Sequence, residues 1–196
     1  MLQDGDHPIA PGKLAAVVTH LEMTAPPMQA AVPDLPVRLD EVARIDPARY
    51  LALFRAVGSG WLWAARLRLT PEALAARLHA PTTRLFLPQG PKGDLGILEL
   101  DFATQGACAI AYFGLVPEAV GQGIGRWLMF HAIQTAFATP GVTRLWLHTC
   151  TLDSPAALPF YRAMGFVPFR RSVEVFDDPR VTGALPRDAA PQVPLL

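Results

Sequence analysis

One segment narrows the possible folds more than any other: Leu115-Val116-Pro117-Glu118-Ala119-Val120-Gly121-Gln122-Gly123-Ile124-Gly125-Arg126-Trp127-Leu128. An apolar run ends there, three glycines follow at alternate positions, and an apolar stripe at helical spacing begins with Ile124, Trp127, Leu128, Ala132, Ile133 and Ala136. This is a strand-to-helix turn, the signature of a layered α/β architecture. Glycines let the backbone approach a ligand closely, and the first amides of a helix have no partner within it, so such a turn suits an anion. Tight packing alone uses the same glycines, and on the loop by itself both readings stand. No Gly-Lys-Ser/Thr follows and the spacing is not Gly-x-Gly-x-x-Gly, which excludes the nucleotide-triphosphate and dinucleotide loops.

The flanking periodicities fill in the rest. Lys13 to Met23 reads as a first strand. Residues 24–38, with Pro26, Pro27, Pro33 and Pro36, read as an extended linker, and 178–196, with Pro179, Pro186, Pro191 and Pro194, as an irregular tail. Asp46-Pro47 starts a helix through Tyr50, Leu51, Phe54 and Val57, broken by Gly58 and Gly60; Thr70-Pro71-Glu72 starts another, to His79. Arg84–Pro88 is a strand, Gly90–Asp94 a polar turn, and Leu95–Phe102 and Ala107–Val116 form an antiparallel hairpin. Alternation places Ile97, Glu99 and Asp101 on one face and Leu98, Leu100 and Phe102 on the other. Thr143–Cys150, Ser154–Met164 and Phe166–Phe176 follow as strand, helix and strand. All 196 residues are read as a single domain.

Charge composition removes several classes. With 17 basic and 17 acidic residues cancelling, and no basic cluster beyond Arg170-Arg171, nothing provides a nucleic-acid footprint. Met1 to His7 lacks a basic region followed by an apolar one, and no run approaches the ~20 residues that cross a bilayer, so a cytoplasmic protein without membrane or nucleic-acid partners is expected. Cys108 and Cys150 sit in apolar strands as small buried thiols, without zinc spacing, and no metal is expected.

Downstream of the glycine loop, one strand later, comes Ser154-Pro155-Ala156-Ala157-Leu158-Pro159-Phe160-Tyr161-Arg162-Ala163-Met164-Gly165-Phe166. Together the two segments resemble the GNAT superfamily of acyl-CoA-dependent N-acyltransferases, with motifs Arg/Gln-x-x-Gly-x-Gly/Ala and Asn-x-x-Ala-x-x-x-Tyr-x-x-x-Gly-Phe, over about residues 84–176. The resemblance implies a mixed, mostly antiparallel central sheet flanked by helices, with a splayed parallel strand pair at the acyl-CoA site. It implies acetyl-CoA as cosubstrate, a small-molecule or peptide amine as acceptor, and, since dimers are common in the family, a homodimer. Position by position, pyrophosphate binding falls on Val120, Gly121, Gln122, Gly123, Ile124 and Gly125, with Arg126 next. The pantetheine arm falls along Leu115 and Val116, another of its contacts on Ser154, and the acid for the departing thiolate on Tyr161. The chain departs from the pattern at Val120, where the family prefers Arg or Gln, and at Ser154, where it often has Asn. Ser154 also suits a helix N-cap, and Pro159 implies a kink or late start before Tyr161.

Acylating an amine requires a base. Glu99 and Asp101 could serve as a carboxylate pair or simply form the polar face of the hairpin. His148, alternating with Trp146, is a base candidate or a packing residue. The strand Ala107–Val116, where many family members place a carboxylate, has none. Catalysis is therefore expected at Tyr161, Glu99 and His148, by direct attack in a ternary complex. The alternatives are a non-catalytic acyl-CoA-binding or regulatory module, and a structural domain whose loop only packs.

Overall fold

The computed structural model describes residues 3–27 and 34–196. The chain runs β1 (Lys13–Met23), β2 (Arg38–Glu41), α1 (Pro47–Gly58), α2 (Pro71–Leu78), β3 (Thr83–Gly90), β4 (Gly93–Asp94), β5 (Gly96–Asp101), β6 (Ala107–Leu115), α3 (Ile124–Ala138), β7 (Arg144–Cys150), α4 (Ala157–Ala163) and β8 (Val167–Asp177). The sheet order is β2-β3-β5-β6-β7-β1-β8, with β4 paired to β3. Every pairing is antiparallel except β6 with β7, which holds only from Ala107–Arg144 to Ala109–Trp146; beyond it the two strands part. Of the proline-rich stretch, 28–33 lie outside the described residues, and Arg38 already belongs to β2.

Helix starts follow local chemistry. Asp46 accepts from the amide of Ala48 ahead of Pro47, and Thr70 Oγ1 from the amide of Ala73 ahead of Pro71. α4 departs from the sequence reading. It begins at Ala157 with Ala156 as an unassisted cap, while the Ser154 hydroxyl accepts from the amide of Ala156 in the preceding turn. Pro159 then lies in the first turn, where a missing N–H breaks no bond.

Two apolar layers cover the sheet. α3 and α4 bury Trp127, Leu128, Met129, Tyr161 and Met164 against one face. α1 and α2 bury Tyr50, Phe54, Leu74 and Leu78 against the other, over Leu85, Leu87 and Ile97. Both faces of β5 are therefore covered, which corrects the expected polar face. Glu99 is 0% exposed, its oxygens taken by Arg66 and, at 2.7 Å, by the Tyr50 hydroxyl, while Asp101 accepts from Arg77 at 2.8 Å.

A third cluster joins the tail to the connection between α1 and α2. Leu185 and Ala190 pack with Leu62, against Leu14 and Leu152. Arg180, 3% exposed, pairs with Asp178 at 2.7 Å and donates to the carbonyl of Val193 at 2.7 Å; Gln192 ties the tail to the carbonyl of Gly60 at 2.7 Å. No helix among the described residues is long and apolar enough to cross a membrane.

Candidate active site

Where β6 and β7 part, a cleft of about 480 Å³ opens through the sheet. A bulge shapes one wall. Glu99 opposes Tyr112 while Leu100 opposes Ile110, so Ala111 has no opposite number on β5, and it lines the cleft. The glycine loop reaches it at Val120 and Gly125, α4 and the turn before it at Ser154, Ala157, Phe160 and Tyr161, and β7 at Leu147, His148 and Cys150. The far side is closed by Trp61, Leu62, Trp63 and Arg68, by Leu152 and by Glu174 and Phe176 of β8.

The loop leaves backbone donors without side-chain partners at the head of α3. Gly121 and Gly123 adopt φ +82° and +80°, a left-handed conformation that favours glycine, and a Cβ on Gly121 would meet nothing within 4 Å. Gly123 caps α3 without a side-chain hydrogen bond, leaving the first-turn amides free of a side-chain partner, with the positive end of the helix dipole behind them. Val120 is 64% exposed at the loop's edge. These features fit the pyrophosphate of an acyl-CoA.

Other loop positions have local duties. Ile124 is buried in the core, so only its backbone is available; Gln122 donates to the carbonyl of Glu118 at 2.6 Å; the Arg126 guanidinium lies 5.7 Å from the Phe130 ring centre. Leu115 lines the cleft, whereas the Val116 amide is engaged by the carbonyl of Leu95 at 2.9 Å.

Among the expected catalytic residues, Tyr161 and His148 share the cleft and Glu99 does not. Glu99 is instead fully buried, with its two oxygens held by Arg66 and the Tyr50 hydroxyl. The Tyr161 phenol is held above its ordinary pKa, first by burial and then by the charge of Asp153, so it keeps its proton at neutral pH. His148 is exposed on β7, its ring centre 5.7 Å from that of His20, whose own pKa is lowered by burial, by His148 and by Arg170. Neither cysteine is primed as a nucleophile: burial pushes Cys108 up to about 12 and raises Cys150, which lines the cleft.

Two cleft residues escaped the sequence reading. Asp153 accepts from Thr149 Oγ1 at 2.7 Å, the Cys150 amide at 2.9 Å and Trp63 Nε1 at 3.3 Å, so it fastens the α1–α2 connection to the turn before α4. Its place beside Ser154 was the available signal. Glu174 lies outside both motifs and carried none. Trp63 itself packs between Gly58 and Gly114, where a Cβ would fall 2.6 Å and 3.2 Å from the indole ring.

Residues 69–166, half of the chain, match the model of the acetyltransferase (GNAT) family. The chain belongs to the GNAT family. None of the curated proteins matches it in sequence. Solved structures share its fold at low identity. A functionally unknown conserved protein from Staphylococcus epidermidis superposes with a TM-score of 0.57 at 14% identity, over 85% of this chain and 63% of its own. A GCN5-related N-acetyltransferase from Kribbella flavida gives 0.56 at 19%, over 88% and 63%. An aminoglycoside acetyltransferase from an uncultured soil metagenomic sample, in complex with sisomicin, gives 0.51 at 18%, over 66% and 88%. The chain thus spans about 63% of the length of the first two.

Proposed function

We propose that this GNAT protein is an acetyl-CoA-dependent N-acetyltransferase in which the amine attacks the thioester directly. The observation that carries the reading is the continuity of the cleft. The glycine loop, Tyr161 and His148 all border one cavity, so a thioester entering from the loop and an amine entering from the far side would meet between the parted strands. In this scheme the free amides from Gly121 to Arg126 hold the pyrophosphate, and the unpaired backbone around Ala111 faces the pantetheine arm and the carbonyl. His148 accepts the proton of the attacking nitrogen, the carbon–sulfur bond breaks, and Tyr161 protonates the departing thiolate. The protonated state of both cysteines supports attack without an acyl-enzyme. A homodimer remains an expectation of family kinship.

The competing reading, acyl-CoA binding without turnover, is favoured by β6, which carries no carboxylate and has Ala109, Ala111 and Tyr112 at its centre. Titration with acetyl-CoA, CoA and a nucleotide control separates the possibilities. Ligand at 100 times its Kd adds about 2.7 kcal/mol, a Tm rise of roughly 5 to 11 °C at this length, expected for the CoA compounds only. Thiol release over an amine panel then tests turnover. Tyr161→Phe should lower kcat about a hundredfold with acetyl-CoA affinity retained; unchanged kcat would remove Tyr161 as the acid.

A further inference from the structure

The sheet ends in two unlike edges. β2, at one end, has four residues and is charged at Arg38, Asp40 and Glu41. β8, at the other, has 11, all exposed but Ser172 and Phe176, and no strand among the described residues pairs with its outer side. A long exposed edge is a template for another strand. We propose that its occupant is a second copy of this chain. The two β8 strands pair antiparallel about a two-fold axis at Ser172, so that Arg170 of each copy meets Glu174 of the other.

Backbone direction along β8 suits this pairing. The carbonyl of Val17 accepts from the amide of Thr151 and its amide donates to Thr151 Oγ1, both at 3.1 Å, so Val17 turns toward β7 and Val18 toward β8. Ser172, opposite Val18, therefore turns its amide and carbonyl inward, while Arg171 and Val173 turn theirs outward. The outward carbonyl of Asp177 is taken by Arg68 at 2.8 Å and Pro168 has no amide, so the free edge lies between them. With Ser172 on the axis, Arg171 of one copy and Val173 of the other exchange backbone hydrogen bonds.

Charge selects that register. An axis at Arg170, Arg171 or Glu174 sets like charges opposite each other, and one at Val173 leaves Arg170 opposite Phe176 and Glu174 opposite Ser172. The axis at Ser172 places Arg170 opposite Glu174, twice by symmetry. Neither side chain holds an ion pair in its own chain among the described residues. On the other face, Val173 opposite Val17 and Val175 opposite Ala15 form an exposed apolar strip, past the helices that cover Leu21 and Met23. Pairing brings this strip against its symmetry mate. It also carries the partner's Arg170 to Glu174, which borders the cleft.

The full-length protein is to be followed by sedimentation equilibrium from about 1 to about 200 µM, where a dimer with a Kd on the order of 10 µM is expected for so small a contact. Arg170→Glu and Glu174→Arg each set like charges opposite each other and should raise that Kd about tenfold or more. The double variant Arg170→Glu, Glu174→Arg restores the opposite pairs and should return it to the wild-type value. Val173→Pro deletes an outward amide, spares the bonds to β1, and should weaken the dimer without any change of charge. Wild-type circular dichroism in every variant shows that the fold is kept, as expected for exposed positions. A monomer at all concentrations, a dimer indifferent to both reversals, or a double variant no tighter than the single ones overturns the inference. These readouts involve no acyl transfer, so they fail or succeed separately from the acyltransferase reading.

Discussion

A carboxylate's role is set by the donors around it. Glu99 and Asp101 sit two apart on one strand and looked like a pair, yet each has its own arginine and Glu99 has Tyr50 as well. The alternation that found them was legible. The burial of Glu99 was not, because Tyr50 and Arg66 reach it from helices placed by tertiary packing. Glu99→Gln strands the Arg66 guanidinium, which is 9% exposed, and should cost about 3–5 kcal/mol in urea unfolding. The acetyl-CoA Kd of the folded variant should stay at the wild-type value. A stable variant with collapsed turnover would instead return Glu99 to the chemistry. His148 and Tyr161 were recognisable from their place beside the two motifs, Tyr161 by family position and His148 by strand alternation. Glu174 had neither cue.

At the scale of elements, local chemistry read best where a cap or turn decides the outcome. Asp46-Pro47 and Thr70-Pro71 start α1 and α2 as their sequences require. Ser154-Pro155 did not start α4, because the hydroxyl serves the turn at Ala156. The loop before α3 gives the clearest test. Gly121→Val places a β-branched residue at φ +82° in open space, costing about 1–2 kcal/mol in backbone strain with no clash. It should raise the acetyl-CoA Kd about tenfold or more by calorimetry, since side chain and altered backbone both intrude on the cradle. Undiminished binding would show that the loop packs without holding phosphate.

Across the whole molecule, pH reports on two half-buried imidazoles, His20 and His131. Burial lowers the pKa of His131, and burial, His148 and Arg170 lower that of His20, both from 6.5. Between each folded pKa and 6.5 the unfolded chain binds more protons, so stability is full above 6.5 and falls as the pH drops through the folded values. Thermal melts from about pH 7.5 down to about pH 5 should show Tm decreasing, and a His20→Gln, His131→Gln variant should show a shallower decrease through that window.

Strand order was the least legible feature at this scale. The hairpin and the crossover were readable from turns and from the glycine loop, but nothing in Lys13–Met23 says that it enters between β7 and β8. Its alternation specifies faces, whereas its neighbours depend on residues far along the chain. His20 and Ser172, joined across β1 and β8, lie 152 residues apart. During synthesis β1 therefore emerges long before either neighbour, with both hydrogen-bonding edges unmatched, while β2, β3, β5 and β6 can already assemble beneath α1 and α2. The half of the sheet that supplies His148 and Glu174 closes last, at the highest contact order, and folding speed should respond to substitutions in β1 far more weakly than unfolding speed does.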